Sequence, residues 1–350
     1  MQVDYLIIGQ GISGTFLSHY LLQAGKKILV IDENDPAAAS RIASGIVNPV
    51  TGRRIVTTWM IDELLPFAME AYEEIGDDLG CSVVAEIDIV NFHASNQMQS
   101  AWADRVAEGA EYISHIHNTE PYSKYFRASY GVGRTSPCLL VDLNSLLPAW
   151  RRRLKERGEL LETRFDIRLA QINAKGIEYN DIKAERLILC NGVNGFDNVF
   201  FNRLPYTMNK GETLIVHIPG LPEGAIYKQG VTIVPLGGGI FWVGSSFEWN
   251  FQHALPTDEF RKTAEKVLTD WLKLPFTVLD HKAAVRPASV ERRPFVGVHP
   301  AMPSVGILNG MGTKGCSLAP YFAHQLVGKL IDGQPLDPEA DISRFKSILS

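Results

Sequence analysis

The chain has 350 residues, of which 45% are hydrophobic and 21% charged, and carries a formal net charge of −5. That length holds one large or two ordinary globular domains with a substantial core, and two are expected. Without a basic excess, nucleic acid and anionic membrane surfaces are unfavoured partners, and a small molecule is favoured.

The four cysteines, Cys81, Cys138, Cys190 and Cys316, show no CxxC or Cys/His spacing, so neither a disulfide framework nor a metal site is expected. No apolar run reaches bilayer length, and the first strand follows Met1 too closely for a secretory leader, which makes a cytoplasmic location the expectation.

Residues 5–8 form a continuous apolar run that ends in Gly9-x-Gly11-x-x-Gly14. A helical pattern follows over 15–24, Gly25 stops it, and a second apolar run over 28–31 closes on Asp32. That order is a βαβ unit. Gly9 serves the tight turn, Gly11 lets backbone approach a pyrophosphate, and Gly14 lets helix and strand pack closely. With Gln10, Ile12 and Ser13 between them, these residues put a helix N-terminus against phosphate. Asp32, followed by Glu33, lies where a carboxylate accepts ribose hydroxyls and repels a 2′-phosphate, favouring FAD or NAD over NADP.

After a turn at 33–40, residues 41–54 are irregular, rich in small residues and marked by Arg41, Arg53 and Arg54. Arg41, Ala43, Ser44 and Gly45 are candidates to touch a flat ligand, since small residues admit it and arginine neutralises its anionic groups. A core-facing helix is expected over 57–79 with Pro66 as a kink, then a strand at 81–92 and a polar helix at 97–108. His115 and His117 share a strand face but lack a third ligand nearby. A helix over 142–159 carries the basic run Arg151-Arg152-Arg153, read as a solvated face. Short strands at 160–165 and 167–172 precede an apolar strand at 186–190 that ends on Asn191-Gly192.

Residues 211–246 have the period and turns of antiparallel β structure, with Gly237-Gly238-Gly239 as a hairpin turn. A helix over 255–272 follows, and 277–285 returns the chain toward the sheet. A strand at 305–309 runs into the glycine-rich turn Gly310-x-Gly312-Thr313-Lys314-Gly315-Cys316, which opens a helix over 317–331; Pro320 fits its first turn. No repeat or linker interrupts the chain, so the domains are interleaved: 1–80, 142–205 and 281–350 around the dinucleotide, and 81–141 with 206–280 around the substrate.

Taken together, Gly9-Gln10-Gly11-Ile12-Ser13-Gly14, Ala43-Ser44-Gly45, Leu189-Cys190-Asn191-Gly192, Val285-Arg286-Pro287, Arg293-Pro294-Phe295-Val296-Gly297 and Gly310–Pro320 stand in the order of the D-amino-acid oxidase family of flavoproteins, which the chain resembles. Among the branches it is similar to glycine oxidase. The Ala43-Ser44-Gly45 loop and Lys314–Pro320 also resemble the oxidase half of the bifunctional tRNA wobble-uridine-modifying enzyme.

The resemblance implies an α/β fold, a Rossmann-type FAD domain of the glutathione-reductase kind with an interleaved antiparallel substrate domain. It implies extended FAD, with N–H groups of Lys314, Gly315 and Cys316 toward the flavin and Asn191, Gly192, Gly312 and Thr313 lining the cofactor. It makes Arg286 the clamp on a substrate carboxylate. The reaction implied is oxidation of the C–N bond of an amino acid or N-substituted amino acid, followed by imine hydrolysis. Thr232 stands where glycine oxidase-like sequences carry a pocket tyrosine, for which Tyr227 is a nearby substitute, and Trp242 stands where sarcosine oxidases carry an oxygen-activating lysine. The rivals are a flavoprotein acting on a macromolecule-borne amine, FAD binding without turnover, and a nicotinamide-dependent dehydrogenase that has no use for the C-terminal motif.

Overall fold

Tyr5 to Ile8 are apolar and buried on both faces, which makes Gln2–Ile8 an interior strand of an eight-stranded sheet. The computed structural model describes residues 1–52, 54–128 and 130–349. Gln2–Ile8 pairs in parallel with Ile28–Ile31 on one side and with Ile182–Leu189 on the other. The far half of Ile182–Leu189 pairs in parallel with Met302–Asn309, and its near half pairs antiparallel with Gly176–Tyr179. Four parallel strands therefore finish along one edge, where Gly9, Asp32, Asn191 and Gly310 follow them. Ligand crevices of open α/β sheets form at that edge.

Helices Ile12–Gln23, Ile61–Leu79, Leu143–Glu156 and Gly315–Asp332 pack over one face of this sheet in a single apolar core. The first is buried without a break from Ile12 to Leu21, because it is wedged between the sheet and Gly315–Asp332. It starts earlier than the expected residue 15, directly after Gly11. Gly14 is thereby in its first turn, where a side chain would overlap the Gly9 carbonyl oxygen.

The second sheet has nine strands and is mixed. Its order runs Thr277–Ser289, Tyr206–His217, Ile240–Gly244, Val231–Gly237, Ala225–Gln229, Val84–Phe92, Val132–Val141 and Ile46–Val47, with Ile113–His115 beside Val132–Val141. Helix Asp258–Trp271, capped by the Thr257 hydroxyl, closes one face with Phe126, Leu268 and Trp271. Gly237, Gly238 and Gly239 make the expected hairpin turn, all at positive φ.

Several boundaries move. Residues 281–289, expected with the first sheet, belong to the second, where Thr277–Ser289 pairs with Tyr206–His217 along its whole length. Val132–Val141 was not expected as a strand, because Gly133 and Pro137 weaken its signal. Of 160–165 and 167–172 only Leu160–Leu161 and Ala170–Asn173 are strands, and Ile167–Leu169 is a 3₁₀ turn. The irregular stretch 41–54 is partly ordered: Ala39–Ile42 is a short helix, Ile46–Val47 joins the second sheet, and Val50–Thr51 pairs with Val56–Thr57, which delays the next helix to Ile61. Arg53 lies outside the described residues.

Candidate active site

One cavity of about 2090 Å³ runs from the edge of the first sheet to the inner face of the second. At its deep end the opening helix presents its N-terminus. The Ile12 N–H donates to the Ser40 hydroxyl at 3.1 Å, while the Gly11 and Ser13 N–H groups have no partner among the described residues, and both residues line the cavity. An ideal side chain at Gly11 would crowd that hydroxyl at 3.1 Å. Such a turn accepts a phosphate close to backbone.

Asp32 ends the next strand in a fixed orientation. Its Oδ2 accepts the Gln10 N–H at 2.8 Å, and its Oδ1 accepts the Asn34 N–H at 2.9 Å and Arg151 Nη1 at 2.5 Å. Arg151 is buried, 6% exposed, donates also to Gln10 Oε1 and forms an ion pair with Glu162 at 3.0 Å. The basic run is not wholly a solvated face as its sequence suggests: its first member anchors the cavity's carboxylate. Oδ2 keeps a lone pair for a sugar hydroxyl.

Gly45 adopts φ +83°, and a side chain there would overlap the Val141 carbonyl, so the Ala43-Ser44-Gly45 loop must carry glycine to reach the second sheet. Trp242 Nε1 donates to the Ile42 carbonyl at 2.8 Å, tying the same loop to that sheet from the other side. Facing it, the Gly310 turn is tied to the long strand through Gly312 N–H and the Pro287 carbonyl, 2.8 Å. The Lys314 N–H is already used by the Met311 carbonyl, which corrects its expected part in the oriented set. Gly315 and Cys316, at the start of the last long helix, keep N–H groups without partners among the described residues.

The far wall carries Arg286. Its Nη1 donates to Asn209 Oδ1 at 2.7 Å and to the Ser246 carbonyl at 3.2 Å, and its Nη2 to the Ser245 hydroxyl at 2.9 Å. Phe247 lies over the guanidinium, 5.1 Å from ring centroid to carbon, and Gly211 beneath it leaves no side chain in the way. Burial pushes the group down to about 10, and it stays charged at neutral pH. No carboxylate among the described residues pairs with it. Of its five N–H donors, one on Nη2 and that on Nε remain for a ligand.

A family model described as FAD dependent oxidoreductase matches residues 4–328. The chain belongs to that family. The fold is shared with solved structures at low identity. Glycine oxidase from Geobacillus kaustophilus is 17% identical over 98% of each chain with a TM-score of 0.80, and glycine oxidase from Bacillus cereus ATCC 14579 is 18% identical over 95% of this chain and 96% of that one, TM-score 0.78. Iminodiacetate oxidase from Chelativorans sp. BNC1 is 19% identical over 98% of each chain, TM-score 0.75.

The cofactor of this oxidoreductase is FAD, and the cavity suits it. Gly9, Gly11, Ile12, Ser13, Asp32 and Glu33 line one stretch; Ala43, Ser44, Gly45, Asn191 and Gly192 the middle; Gly312, Thr313, Lys314, Gly315 and Cys316 the end nearest Arg286 and Thr232. Asn191 Oδ1 is buried without a partner, an acceptor that a ligand N–H or hydroxyl would satisfy.

Four of the expected contacts do not line the cavity. Gln10 turns inward to Thr15 and Arg151, and Gly14 packs on Gly9. Arg41 is held 3.8 Å from Asp32 behind the lining, with Nη2 otherwise unpartnered. Tyr227, 2% exposed, is in the core behind the second sheet, its hydroxyl donating to the Pro222 carbonyl at 3.0 Å and its ring 4.8 Å from Phe126. It cannot replace a pocket tyrosine. Strand alternation turns its neighbour Lys228 into the cavity instead. Ser40, Asn209, Ser245 and Phe247 have no sequence signature, because single polar or aromatic residues in loops and strands carry no signal until the fold gathers them.

Proposed function

We propose that this flavoprotein oxidises the C–N bond of an amino acid or N-substituted amino acid, with Arg286 holding the α-carboxylate. The observation that carries the reading is a half-buried guanidinium without a protein anion among the described residues, on the cavity wall next to the glycine-rich turn. A buried charge left unpaired is costly, so an anionic ligand completes the site. Asn209, Ser245 and the Ser246 carbonyl fix the plane of the fork. A carboxylate docking on its free edge then arrives in one orientation, which sets the α-carbon for reaction.

FAD, when bound, supplies the two-electron acceptor for hydrogen leaving the α-carbon, and the imine left behind hydrolyses in water. The open N–H groups of Gly315 and Cys316, with the positive end of their helix, favour negative charge at that turn without reorganising. Thr232, on the same wall as Arg286, presents a hydroxyl in the place of the pocket tyrosine. Glycine and iminodiacetate, the compounds named for the relatives of like fold, each place a carboxylate one carbon from nitrogen.

The test is anaerobic bleaching of the yellow holoprotein by a panel of amino acids and N-alkyl glycines, repeated with Arg286→Ala. The variant should raise KM for acidic substrates about a hundredfold or more while the flavin spectrum is retained. An unchanged KM would remove the clamp.

A further inference from the structure

The cavity holds a second cation that the carboxylate clamp does not use. Lys228 lines it from the strand Ala225–Gln229, is half-buried, and makes no hydrogen bond or ion pair with the described residues. Burial pushes its ammonium below the ordinary lysine value, with only the Cys138 thiol nearby to oppose the shift.

Its neighbours are set by register. Lys228 is directly opposite Thr232 on one side and Asn91 on the other, and all three line the cavity. Directly paired residues point their side chains to the same face, about 5 Å apart at Cβ. The Asn91 amide is fixed by donating to the Thr135 hydroxyl at 3.0 Å and to the Ile89 carbonyl at 3.1 Å, which leaves its Oδ1 outward. The Thr232 hydroxyl has no partner among the described residues. An ammonium and a free hydroxyl on one patch form a receptor for an oxyanion.

Its distance from Arg286 is bounded by the same pairings. Arg286 touches Ser245, which follows Gly244, and Gly244 is paired with Thr232, itself paired with Lys228. Two strand spacings, about 10 Å of backbone, separate Gly244 from Lys228; the Arg286 guanidinium reaches Ser245 from a strand two places further out, and the lysine stem spans part of the remaining gap. Of the other cavity cations without an ion pair among the described residues, Arg164 and Arg292 are exposed, Arg292 lies beside Lys314, and Lys314 is on the first sheet's side at the start of the last long helix, away from this wall.

We infer that Lys228 and Thr232 form a second anion subsite, and that the substrate is an amino acid bearing a second carboxylate, on its side chain or on an N-carboxyalkyl group. This rests on the Arg286 reading, since the first carboxylate must be anchored for the second to reach Lys228. No bond is made or broken by the subsite; it selects and orients.

Calorimetric titration of the FAD-loaded protein at neutral pH with two unreactive probes, glutarate and butyrate, tests it. Glutarate should bind about tenfold tighter or better, the size of one charge-assisted hydrogen bond. Lys228→Met should erase that preference while leaving butyrate within about twofold, and Lys228→Arg should keep it. Holoprotein melting temperatures of the variants check that they fold. A preference unchanged in Lys228→Met, with butyrate binding lost in Arg286→Ala, would overturn the second subsite alone. Butyrate binding unchanged in Arg286→Ala would overturn the carboxylate clamp and the subsite with it.

Discussion

Asp32 reaches its ligand-facing position only because Arg151, from a helix more than a hundred residues away in sequence, fills the space behind it. Removing that guanidinium strands the buried Gln10 amide oxygen and leaves Asp32 Oδ1 with the Asn34 N–H as its only hydrogen bond among the described residues, a loss of about 1–3 kcal/mol. Arg151→Met should therefore weaken FAD about tenfold or more, read by fluorescence titration of the apoprotein, whereas Arg152→Met on the same helix should not. Lys228 makes a pH prediction of known sign. Its free ammonium is depressed by burial, so glutarate preference fades as pH rises, beginning below the ordinary lysine value of about 10.4. At this scale the sequence offered Tyr227 as the substitute for the pocket tyrosine and did not single out its neighbour Lys228, because it could not say which of the two faced the cavity. A period of two means that a one-residue error exchanges core for cavity.

The segment that follows Ile240–Gly244 carries Ser245 and Phe247 against Arg286, and a buried ionic hub holds it in place. Glu212, 0% exposed, accepts from Thr257 N–H at 2.7 Å, from the Thr257 hydroxyl at 2.8 Å, from Lys210 at 2.9 Å and from His281 at 2.9 Å. Lys210 and Glu248 exchange backbone hydrogen bonds beside it. Burial alone would raise the Glu212 carboxyl, but the Lys210 and Thr257 hydrogen bonds outweigh it and the group titrates below its ordinary value. A depressed carboxyl contributes stability that is present above the unfolded value and lost as pH falls through the folded one. The segment should thus loosen only below about pH 4, seen as proteolysis within 245–257 before global unfolding. Glu212→Ala leaves the buried Lys210 with only the Glu248 carboxylate, 3.7 Å away, and should cost about 3–5 kcal/mol in denaturant melts. Gly45→Ala, forced to positive φ and into the Val141 carbonyl, should break the N–H bond from Val141 to Gly45 and lower stability by at least 1–2 kcal/mol.

At the scale of the whole molecule, two sheets are held together by a loop at one end and a glycine turn at the other, with the cofactor cavity between them. FAD in that cavity would touch both sides, so it should bind the native state alone and stabilise it by mass action. A hundredfold excess over its Kd contributes about 2.7 kcal/mol, a rise of a few degrees in melting temperature that stripping the flavin should reverse.

The glycine spacing, the acid after the second strand and the second glycine turn were legible in the sequence, because each is a local demand: a turn, a close backbone approach or a helix start needs particular residues at fixed offsets. The pairing of Arg151 with Asp32, the burial of Arg286 without a counter-charge, the inward turn of Lys228 and the sheet that owns residues 281–289 were settled only by the tertiary structure. Those are relations between distant segments, set by strand register and by which face the core covers, and no local pattern encodes them.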